Sequence, residues 1–540
     1  MPASNKVVVI GGGLAGLAAS VELAQRGAAV TLVETNAHLG GKMNVYEEAG
    51  YTFDMGPTIL TLPEVLCGII RRAGGKVSDY IDLVRLDPQW RCVFEDGTRF
   101  DLRDRLEDTV AGFNALKAGA GDGFADFVKY SQRMNRLSRR VFFYRDLGGV
   151  LDVMKGTPMG DFGLLKDVLA MRMHSTVGAT IKKYVGEPHV QQMAEHFLQY
   201  VGSNPFLAPA ILTMIASAQA DQGCWYAMGG TRSVARALER LVNESGIEVR
   251  RQTRVTQILE ESGRAVGVVT DGDEEIRADA VVSNCDVQRT LGGLMNSPAA
   301  RAQKAAVARK HEPACSGIVF YWGLNRQYDQ LAHHNFYFSQ NSHDEFEDIY
   351  KKGVPANDPT LYIAAPSRTD PGQAPEGGEA LYILVHTPYI REGRLQADSA
   401  KFVDAYRPVV LEKLRRCGIE GVEDHIVVER TLTPRGIESM YNAEGGAIYG
   451  LASHGKLGGG FKPRNTSRAA DGLYFCGGSA NPGPGVPMVL MSGVTAADAV
   501  ARDLGLARPD LTATSQEPSL DEVALVESAQ KPADGVGVAG

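Results

Sequence analysis

Residues 7–16 read VVVIGGGLAG, an apolar run that passes directly into a glycine-rich turn. The run is short and uninterrupted, as in a buried β-strand, and apolar residues recur at helical spacing after the turn. Gly11, Gly13 and Gly16 occupy the GxGxxG positions. The first allows a tight turn, the second lets backbone approach a pyrophosphate, and the third lets helix and strand pack closely. The stretch therefore predicts a Rossmann-like βαβ start with a dinucleotide at the N-terminus of its helix.

Glu34 ends the predicted second strand, where a carboxylate accepts hydrogen bonds from both hydroxyls of a ribose. Thr35 and Asn36 follow it without an arginine, which argues against a 2′-phosphate and hence against NADP. Two further glycine-containing turns, 40–42 (GGK) and 54–58 (DMGPT), stand where flavoprotein folds run backbone past the pyrophosphate and ribityl chain. The N-terminal region thus predicts a dinucleotide without distinguishing FAD from NAD.

A second glycine-rich segment near the other end, residues 472–488, reads GLYFCGGSANPGPGVPM. Its first part is strand-like, Gly477 and Gly478 would let a phosphate or ribityl chain approach, and Pro487 suits the first turn of the following helix. Such a helix, with its N-terminus at the pyrimidine edge of an isoalloxazine, would favour the negative charge that builds there on reduction. Both ends of the chain are therefore expected to meet on one flavin, and FAD is the predicted cofactor.

The composition argues against several classes of protein. The 540 residues include 56 basic and 64 acidic ones, and the net charge of −8 argues against a general nucleic-acid binder. Seven cysteines stand singly without a CxxC pair, which is typical of reduced thiols in the cytoplasm, and no metal site is expected. No segment approaches the roughly 20 apolar residues that a membrane-spanning helix needs, so a soluble or peripherally bound protein is predicted.

The motifs are spread over the whole chain, which predicts an α/β fold with discontinuous domains. A Rossmann-like FAD-binding domain of the glutathione-reductase type is expected from residues 1–103, 225–298 and 436–508. A mixed α+β domain that faces substrate and membrane is expected from residues 104–224 and 299–435. Residues 509–540 are rich in proline, serine and acids with few aromatics, and are predicted to be a disordered tail.

With these motifs the chain resembles the carotenoid desaturase family related to bacterial phytoene desaturase, a branch of the flavin amine oxidase-like superfamily. The glycine motifs are shared across the superfamily, whereas the middle and final segments are similar to the carotenoid branch. The matching segments are 9–17 (VIGGGLAGL), 40–42, 54–58, 228–231 (MGGT), 333–335 (HHN), 359–362 (PTLY), 369–371 (TDP) with 374–375 (AP), and 481–491. In one departure, Ala480-Asn481 stands near the expected flavin where relatives often carry Thr-His, and this pair bears on the substrate or reaction subtype.

The resemblance implies a set of FAD contacts. They are Gly11, Gly13, Gly16, Glu34, Gly40, Gly41, Lys42, Gly56, Pro57, Thr58, Val255, Gly478 and Met488. Val255 is included because it lies in the strand whose backbone usually meets the adenine. No general base is assigned; Arg435 and His454 are the polar residues that could face the pocket, with structural hydrogen bonding as the favoured alternative for both.

By the same resemblance, the expected reaction is desaturation of a carotenoid or related isoprenoid polyene. A hydride leaves for flavin N5, and the allylic cation left behind is delocalised, so its neighbouring proton is acidic without a strong, close base. Oxygen or a quinone would reoxidise the flavin, and a homo-oligomer is left open. The alternatives are a flavin-dependent carotenoid isomerase or oxidase and, from another class, a prenyl-binding carrier without redox chemistry. An amine oxidase would usually frame its flavin with paired aromatics, where this chain has Asn481-Pro482-Gly483-Pro484.

A substrate that lies in a membrane requires the protein to have a docking surface. We expect a cytoplasmic protein that binds peripherally to the inner face of the membrane. Residues 127–145 contain six basic residues and no acid, beside Phe142, Phe143 and Tyr144. An apolar stripe at helical spacing follows, with basic neighbours: Phe162, Leu165, Leu169, Met173, Val177 and Ile181, with Lys166, Arg172, Lys182 and Lys183. The pattern fits an interfacial helix and, equally, a core-facing helix with a solvated charged face.

Overall fold

A computed structural model describes residues 5–149, 152–153, 175–455 and 458–511. Its strands are β1 (Lys6–Ile10), β2 (Ala29–Val33), β3 (Val45–Glu48), β4 (Tyr51–Asp54), β5 (Leu83–Arg85), β6 (Trp90–Val93), β7 (Arg99–Leu102), β8 (Trp225–Ala227), β9 (Glu248–Arg250), β10 (Val255–Glu261), β11 (Arg264–Thr270), β12 (Glu275–Arg277), β13 (Ala280–Ser283), β14 (Ser316–Leu324), β15 (His334–Tyr337), β16 (Leu361–Ala364), β17 (Glu379–Thr387), β18 (Ile426–Leu432) and β19 (Leu473–Phe475). Its α-helices are α1 (Leu14–Gln25), α2 (Glu64–Arg72), α3 (Leu106–Leu116), α4 (Ala120–Val141), α5 (Val177–Tyr184), α6 (Pro188–His196), α7 (Met214–Gln222), α8 (Arg232–Glu244), α9 (Val287–Arg289), α10 (Pro298–Lys310), α11 (Ser342–Phe346), α12 (Ser399–Arg416), α13 (Val422–His425), α14 (Pro434–Tyr441) and α15 (Val486–Leu504).

A five-stranded, all-parallel sheet is assembled from the two ends and the middle of the chain. Its spatial order is β19-β13-β1-β2-β9. The residues of β1 after Lys6 are all buried, as are those of β13 and β19, because helices cover the sheet. The arrangement confirms the Rossmann-like α/β fold class and the expectation that both ends of the chain meet.

Helices α1 and α15 pack against each other at backbone distance. A Cβ added to Gly493 of α15 would lie 2.2 Å from the carbonyl oxygen of Ala15 in α1. Any side chain at that glycine would therefore push the two helices apart. The C-terminal helix thus fixes the position of the helix that follows the first glycine turn.

A second, seven-stranded sheet lies beside the first, in the order β18-β14-β17-β16-β15-β6-β7. Every residue of β14 and β17 is buried, so neither strand has a face exposed to solvent. Strands β6 and β7 join this sheet through the parallel pair β6–β15, although the predicted division assigned residues 1–103 to the FAD domain. Pairing with a distant strand decides which sheet a short strand joins, and the domain division stays a prediction.

Three smaller sheets complete the β-structure: the antiparallel sheet β10-β11-β12 and the pairs β3–β4 and β5–β8. The elements described between residues 106 and 222 are all helices. All seven cysteines are free, and among the described residues no helix is long and apolar enough to cross a bilayer.

Most of the predicted interfacial stripe lies outside the described residues. This applies to Phe162, Leu165, Lys166, Leu169, Arg172 and Met173, and also to 512–540 of the predicted tail. Val177 and Ile181 do lie in the described part, in α5, where both are buried in the core, while Lys182 and Lys183 are exposed. This end of the stripe therefore follows the core-facing alternative.

Candidate active site

A cavity of about 1800 Å³ extends from the carboxyl ends of the parallel strands to the seven-stranded sheet. Most of the residues predicted to contact FAD line it: Gly11, Gly13, Glu34, Gly40, Gly41, Lys42, Gly56, Pro57, Thr58, Val255, Gly478 and Met488. They come from five separate stretches of the chain. The structure therefore brings the sequence motifs to one place.

The first glycine turn has the geometry that a pyrophosphate requires. Gly11 has a φ of +91°, and a Cβ added to Gly13 would lie 2.6 Å from the Nδ2 of Asn284. Gly16 does not line the cavity, because its role is packing: an added Cβ would lie 2.0 Å from the carbonyl oxygen of Gly11. Helix α1 begins without a side-chain cap, so its first N–H groups are free to bind an anion.

Glu34 is held in position by backbone. Its Oε2 accepts from the amide of Gly12 and its Oε1 from the amide of Asn36, each at 2.7 Å. The carboxylate is buried but borders the cavity, next to Val255 and its neighbours in the chain. An oriented carboxylate with spare lone pairs can accept ribose hydroxyls here.

The turn at residues 40–42 lies directly on the first glycine turn. The amide of Gly40 donates to the carbonyl of Gly12 at 2.7 Å, and a Cβ on Gly41 would lie 3.1 Å from the Gly13 Cα. Gly56 approaches just as closely, since its Cβ would lie 2.0 Å from the carbonyl oxygen of Lys42. No larger residue fits at these positions without moving backbone.

Lys42 ties this turn to the C-terminal part of the chain. Its Nζ donates to the carbonyls of Ala447 and Ile448, each at 3.0 Å. Burial lowers the pKa of the Lys42 ammonium to about 8. A positive charge thus stands in the cavity wall, where it suits an anionic or reducible ligand.

The C-terminal glycines lie on the other side of the cavity from the turns at Gly11–Gly13, 40–42 and Gly56. We call these turns and the C-terminal glycines together the flavin cradle. Gly477 has a φ of +105°, and Gly450 packs on Gly478, since its Cβ would lie 2.7 Å from the Gly478 carbonyl carbon. Helix α15 begins after Gly485 without a side-chain cap, and its first residues border the cavity. A second free helix N-terminus therefore faces the same space.

The comparisons with known proteins agree with this geometry. Residues 14–501 match the family described as flavin containing amine oxidoreductase. The chain belongs to this family. It is an oxidoreductase whose cofactor is FAD, as predicted, and the free helix ends, Glu34 and the tight glycine turns fit that group.

Two curated relatives are similar over almost the whole chain. One, from Methylomonas sp, is named 4,4'-diapolycopene oxygenase and is 36% identical over 93% of this chain and 99% of its own. The other, from Staphylococcus aureus, is named 4,4'-diaponeurosporene oxygenase and is 37% identical over 92% of this chain and 98% of its own. The expected resemblance to carotenoid-modifying flavoproteins is confirmed.

Solved structures share the fold at low sequence identity. An oxidoreductase from Methanosarcina mazei is similar with a TM-score of 0.61 at 19% identity, covering 91% of this chain and 99% of that one. A putrescine oxidase variant is similar with a TM-score of 0.59 at 13% identity, covering 92% and 99%. These likenesses confirm the flavoprotein fold of the family member.

Asn481, at the departure from the expected Thr-His, serves a structural network in this family member. Its Nδ2 donates to the carbonyl of Arg145 at 2.6 Å and to the Oδ1 of Asn465 at 3.1 Å. Its own carbonyl accepts from Ser492 at 2.6 Å. Asn481 also borders the cavity and therefore adjoins the residues predicted to contact FAD.

The two polar residues suggested for the pocket are placed differently. His454 is absent from the cavity lining: its Nδ1 pairs with Glu312 at 2.8 Å and its Nε2 accepts from the amide of Asn204 at 3.1 Å. Arg435 does line the cavity but is paired with Glu438 at 2.7 Å and Glu392 at 3.2 Å. These contacts agree with the alternative that Arg435 and His454 make structural hydrogen bonds. We propose no catalytic role for either residue.

The sequence did not indicate the far wall of the cavity. It is lined by His196, Gln199, Tyr200, Phe336, Tyr362, Tyr382, Leu384, His386 and Tyr449. Several of these lie on fully buried strands of the seven-stranded sheet, where no alternation marks which residues face a ligand. The matched segment PTLY contains Tyr362, and the matched segment HHN directly precedes Phe336. These two segments were the features of the sequence that could have pointed to the wall.

Proposed function

We propose that the protein oxidises the end of a linear carotenoid, with FAD as its redox group. The cavity carries this proposal, since it joins the flavin cradle to a long wall of buried aromatic and aliphatic side chains. A polyene is flat and apolar, and it gains most from such a wall. The two relatives named 4,4'-diapolycopene oxygenase and 4,4'-diaponeurosporene oxygenase support the same substrate class.

Terminal oxidation and desaturation begin with the loss of hydrogen from a carbon beside the polyene. Desaturation removes two hydrogens from neighbouring carbons, whereas the terminal reaction balances as R–CH3 + O2 → R–CHO + H2O. Terminal oxidation is our first candidate because both relatives are named oxygenases and the ends of a linear carotenoid carry methyl groups that can be oxidised. Desaturation, the reaction expected from sequence, is the second, because an aromatic wall suits either product.

In this proposal one group of residues binds FAD and another group positions the substrate. FAD, when bound, supplies the acceptor for hydride. The free N-terminus of α1 binds its pyrophosphate and Glu34 its ribose. The faces of Tyr362 and Tyr382 line the substrate side, where aromatic rings stabilise developing positive charge and exclude water.

The test is co-expression with enzymes that make C30 and C40 carotenoids, followed by mass analysis of the pigments. Terminal oxidation adds oxygen and removes hydrogen, whereas desaturation only removes hydrogen, so the masses separate the two candidates. The Gly56→Ala variant is the matched control, because its Cβ would lie 2.0 Å from the Lys42 carbonyl and distort the flavin cradle. Unchanged pigment in every strain with the unmodified protein would refute the proposal.

We also propose that the protein binds membranes peripherally through the basic side of α4. The end of this helix leads into Phe142 and Phe143, which line the cavity, while Lys129 is largely exposed. A basic surface beside an apolar entrance suits anionic lipid. Co-sedimentation with anionic liposomes at low salt, lost with neutral liposomes, is the expected result; no binding to either would exclude it.

A further inference from the structure

Two buried histidines stand in the far wall of the cavity. His196 ends helix α6 and His386 lies in β17; both line the cavity and are only 5% and 4% exposed. Their ring centroids are 6.3 Å apart, too far for a direct hydrogen bond between them. An oxygen atom placed between the rings could bond to both.

The hydrogen-bonding capacity of these rings is largely unused. His386 shares one hydrogen bond, from its Nε2 to the hydroxyl of Tyr449 at 3.3 Å. His196 packs edge-on against Phe336 and Phe338, and within the described residues no partner bonds to either of its ring nitrogens. A buried polar group without a partner is costly, and this cost is removed when a ligand supplies one.

The surroundings suit a neutral ligand. Burial lowers the pKa of His196 well below its usual value and that of His386 to about 4, so both rings are neutral at physiological pH. A neutral imidazole offers one donor and one acceptor. A hydroxyl matches both, and a carbonyl oxygen matches the donor, whereas an ammonium or carboxylate would lack a countercharge among the aromatic rings around His196.

The pair adjoins the flavin cradle. Tyr449, the partner of His386, follows Ile448, whose carbonyl accepts from the Lys42 ammonium at 3.0 Å. It precedes Gly450, which packs on Gly478. The row Tyr449–His386–His196 therefore runs from the flavin-binding turns into the apolar cavity, which is where the reacting end of a polyene would lie.

We propose that His196 and His386 form a binding site for the oxygen of an oxidised carotenoid end group, a hydroxyl or an aldehyde. The proposal rests on the proposed function, and it adds that the enzyme discriminates between oxygenated and plain hydrocarbon ends. A hydrocarbon end leaves His386 with Tyr449 as its hydrogen-bond partner and adds none to either ring, whereas an alcohol or aldehyde oxygen can bond to both imidazoles. The intermediate alcohol of a terminal oxidation would consequently be retained.

Binding of three polyenes of equal length tests the site: a hydrocarbon, its terminal alcohol and its terminal aldehyde. FAD-loaded full-length protein, with its flavin reduced beforehand, is titrated with each in detergent micelles without oxygen. No hydride acceptor or oxidant is then present, so binding is measured apart from turnover. We expect the alcohol and aldehyde to bind roughly three- to tenfold more tightly than the hydrocarbon. His196→Phe and His386→Phe should each lower the ratio of alcohol to hydrocarbon affinity towards one, since phenylalanine keeps the ring but offers no hydrogen bond.

His333→Phe is the matched control. His333 is buried and bonds to Thr369 at 2.8 Å but is absent from the lining of the large cavity, so the preference should persist. A readout without any variant is the C=O stretch of the bound aldehyde, which Raman spectroscopy should find lowered relative to an aprotic solvent. Equal binding of all three polyenes, or an unshifted C=O stretch, overturns the oxygen site alone. Failure of every polyene to bind overturns the proposed function and the site with it.

Discussion

Replacing Gly16 by alanine tests how closely helix α1 must approach the first glycine turn. The added Cβ would lie 2.0 Å from the carbonyl oxygen of Gly11, whereas real Cβ contacts are almost never under 3.0 Å, so helix or turn must move by about 1 Å. Helix α1 cannot easily retreat, because Gly493 of α15 already holds it at backbone distance. Overpacking of this kind costs about 1–3 kcal/mol of folding free energy.

The displacement falls on the N–H groups that bind the pyrophosphate. Loss of one hydrogen bond to a charged group costs about 1.5–3 kcal/mol, so we expect FAD affinity to fall roughly tenfold to a hundredfold. The assay is FAD titration of the apoprotein by flavin fluorescence, with thermal unfolding measured on the same samples.

Gly112→Ala is the matched control for Gly16→Ala. Gly112 lies in helix α3, is exposed, and an added Cβ would meet nothing within 4 Å. Alanine in an open helical position is favourable by roughly 1 kcal/mol relative to glycine, so this variant should keep FAD and gain slight stability. If Gly16→Ala binds FAD and unfolds like Gly112→Ala, the packing role assigned to Gly16 is refuted.

Three further variants test other parts of the structure. Glu34→Gln should weaken FAD binding roughly tenfold, because the charged acceptor for the ribose is lost; fluorescence titration measures it. Burial lowers the pKa of Lys462 to about 7, so the unfolded chain binds more protons above that pH. This lysine therefore makes stability rise with pH between about 7 and 10, and the Tm advantage of the unmodified protein over Lys462→Met should grow from pH 6.5 to 9. Glu22→Gln should cost about 3–5 kcal/mol in denaturant unfolding, since it removes the carboxylate that pairs with two buried arginines, Arg26 and Arg72.

For each of these three variants, one result would contradict the expected effect. An unchanged FAD dissociation constant for Glu34→Gln would mean that the carboxylate does not meet the ribose. A Tm difference for Lys462→Met that is constant with pH would mean that the buried amine does not titrate in this range. For Glu22→Gln, the comparison is Glu244→Gln, which removes an exposed ion pair and should leave stability nearly unchanged; equal effects would refute the buried network.

The flavin cradle could be predicted because its chemistry is local. Gly11, Gly13 and Gly16 are required by the path of a few consecutive residues, and the same is true of Gly40 and Gly41. The expectation that β19 meets the N-terminal strands followed from a second motif of the same kind, and the pairing of β13 with both β1 and β19 confirms it.

No general base was assigned from the sequence, because the polarity of a residue does not show where its side chain points. His454 has the residue type of a catalytic group, yet its ring bonds to Glu312 and Asn204 away from the cavity lining. His196 and His386 carried no sequence signal, and they line the cavity. The sequence likewise did not show that β6 joins the seven-stranded sheet, since its partner β15 is more than two hundred residues away.

The sequence by itself determined the cofactor and the fold class of this protein. Glycine spacing, an acidic residue at a strand end and a second glycine turn each act over a few residues, so the amino-acid order is enough to reveal them. Only the tertiary structure decided the substrate wall, because His196, His386 and Tyr449 come from a helix, a strand and a loop that are distant in the chain. Their surroundings are created by long-range packing, and burial then sets the neutral state of both histidines.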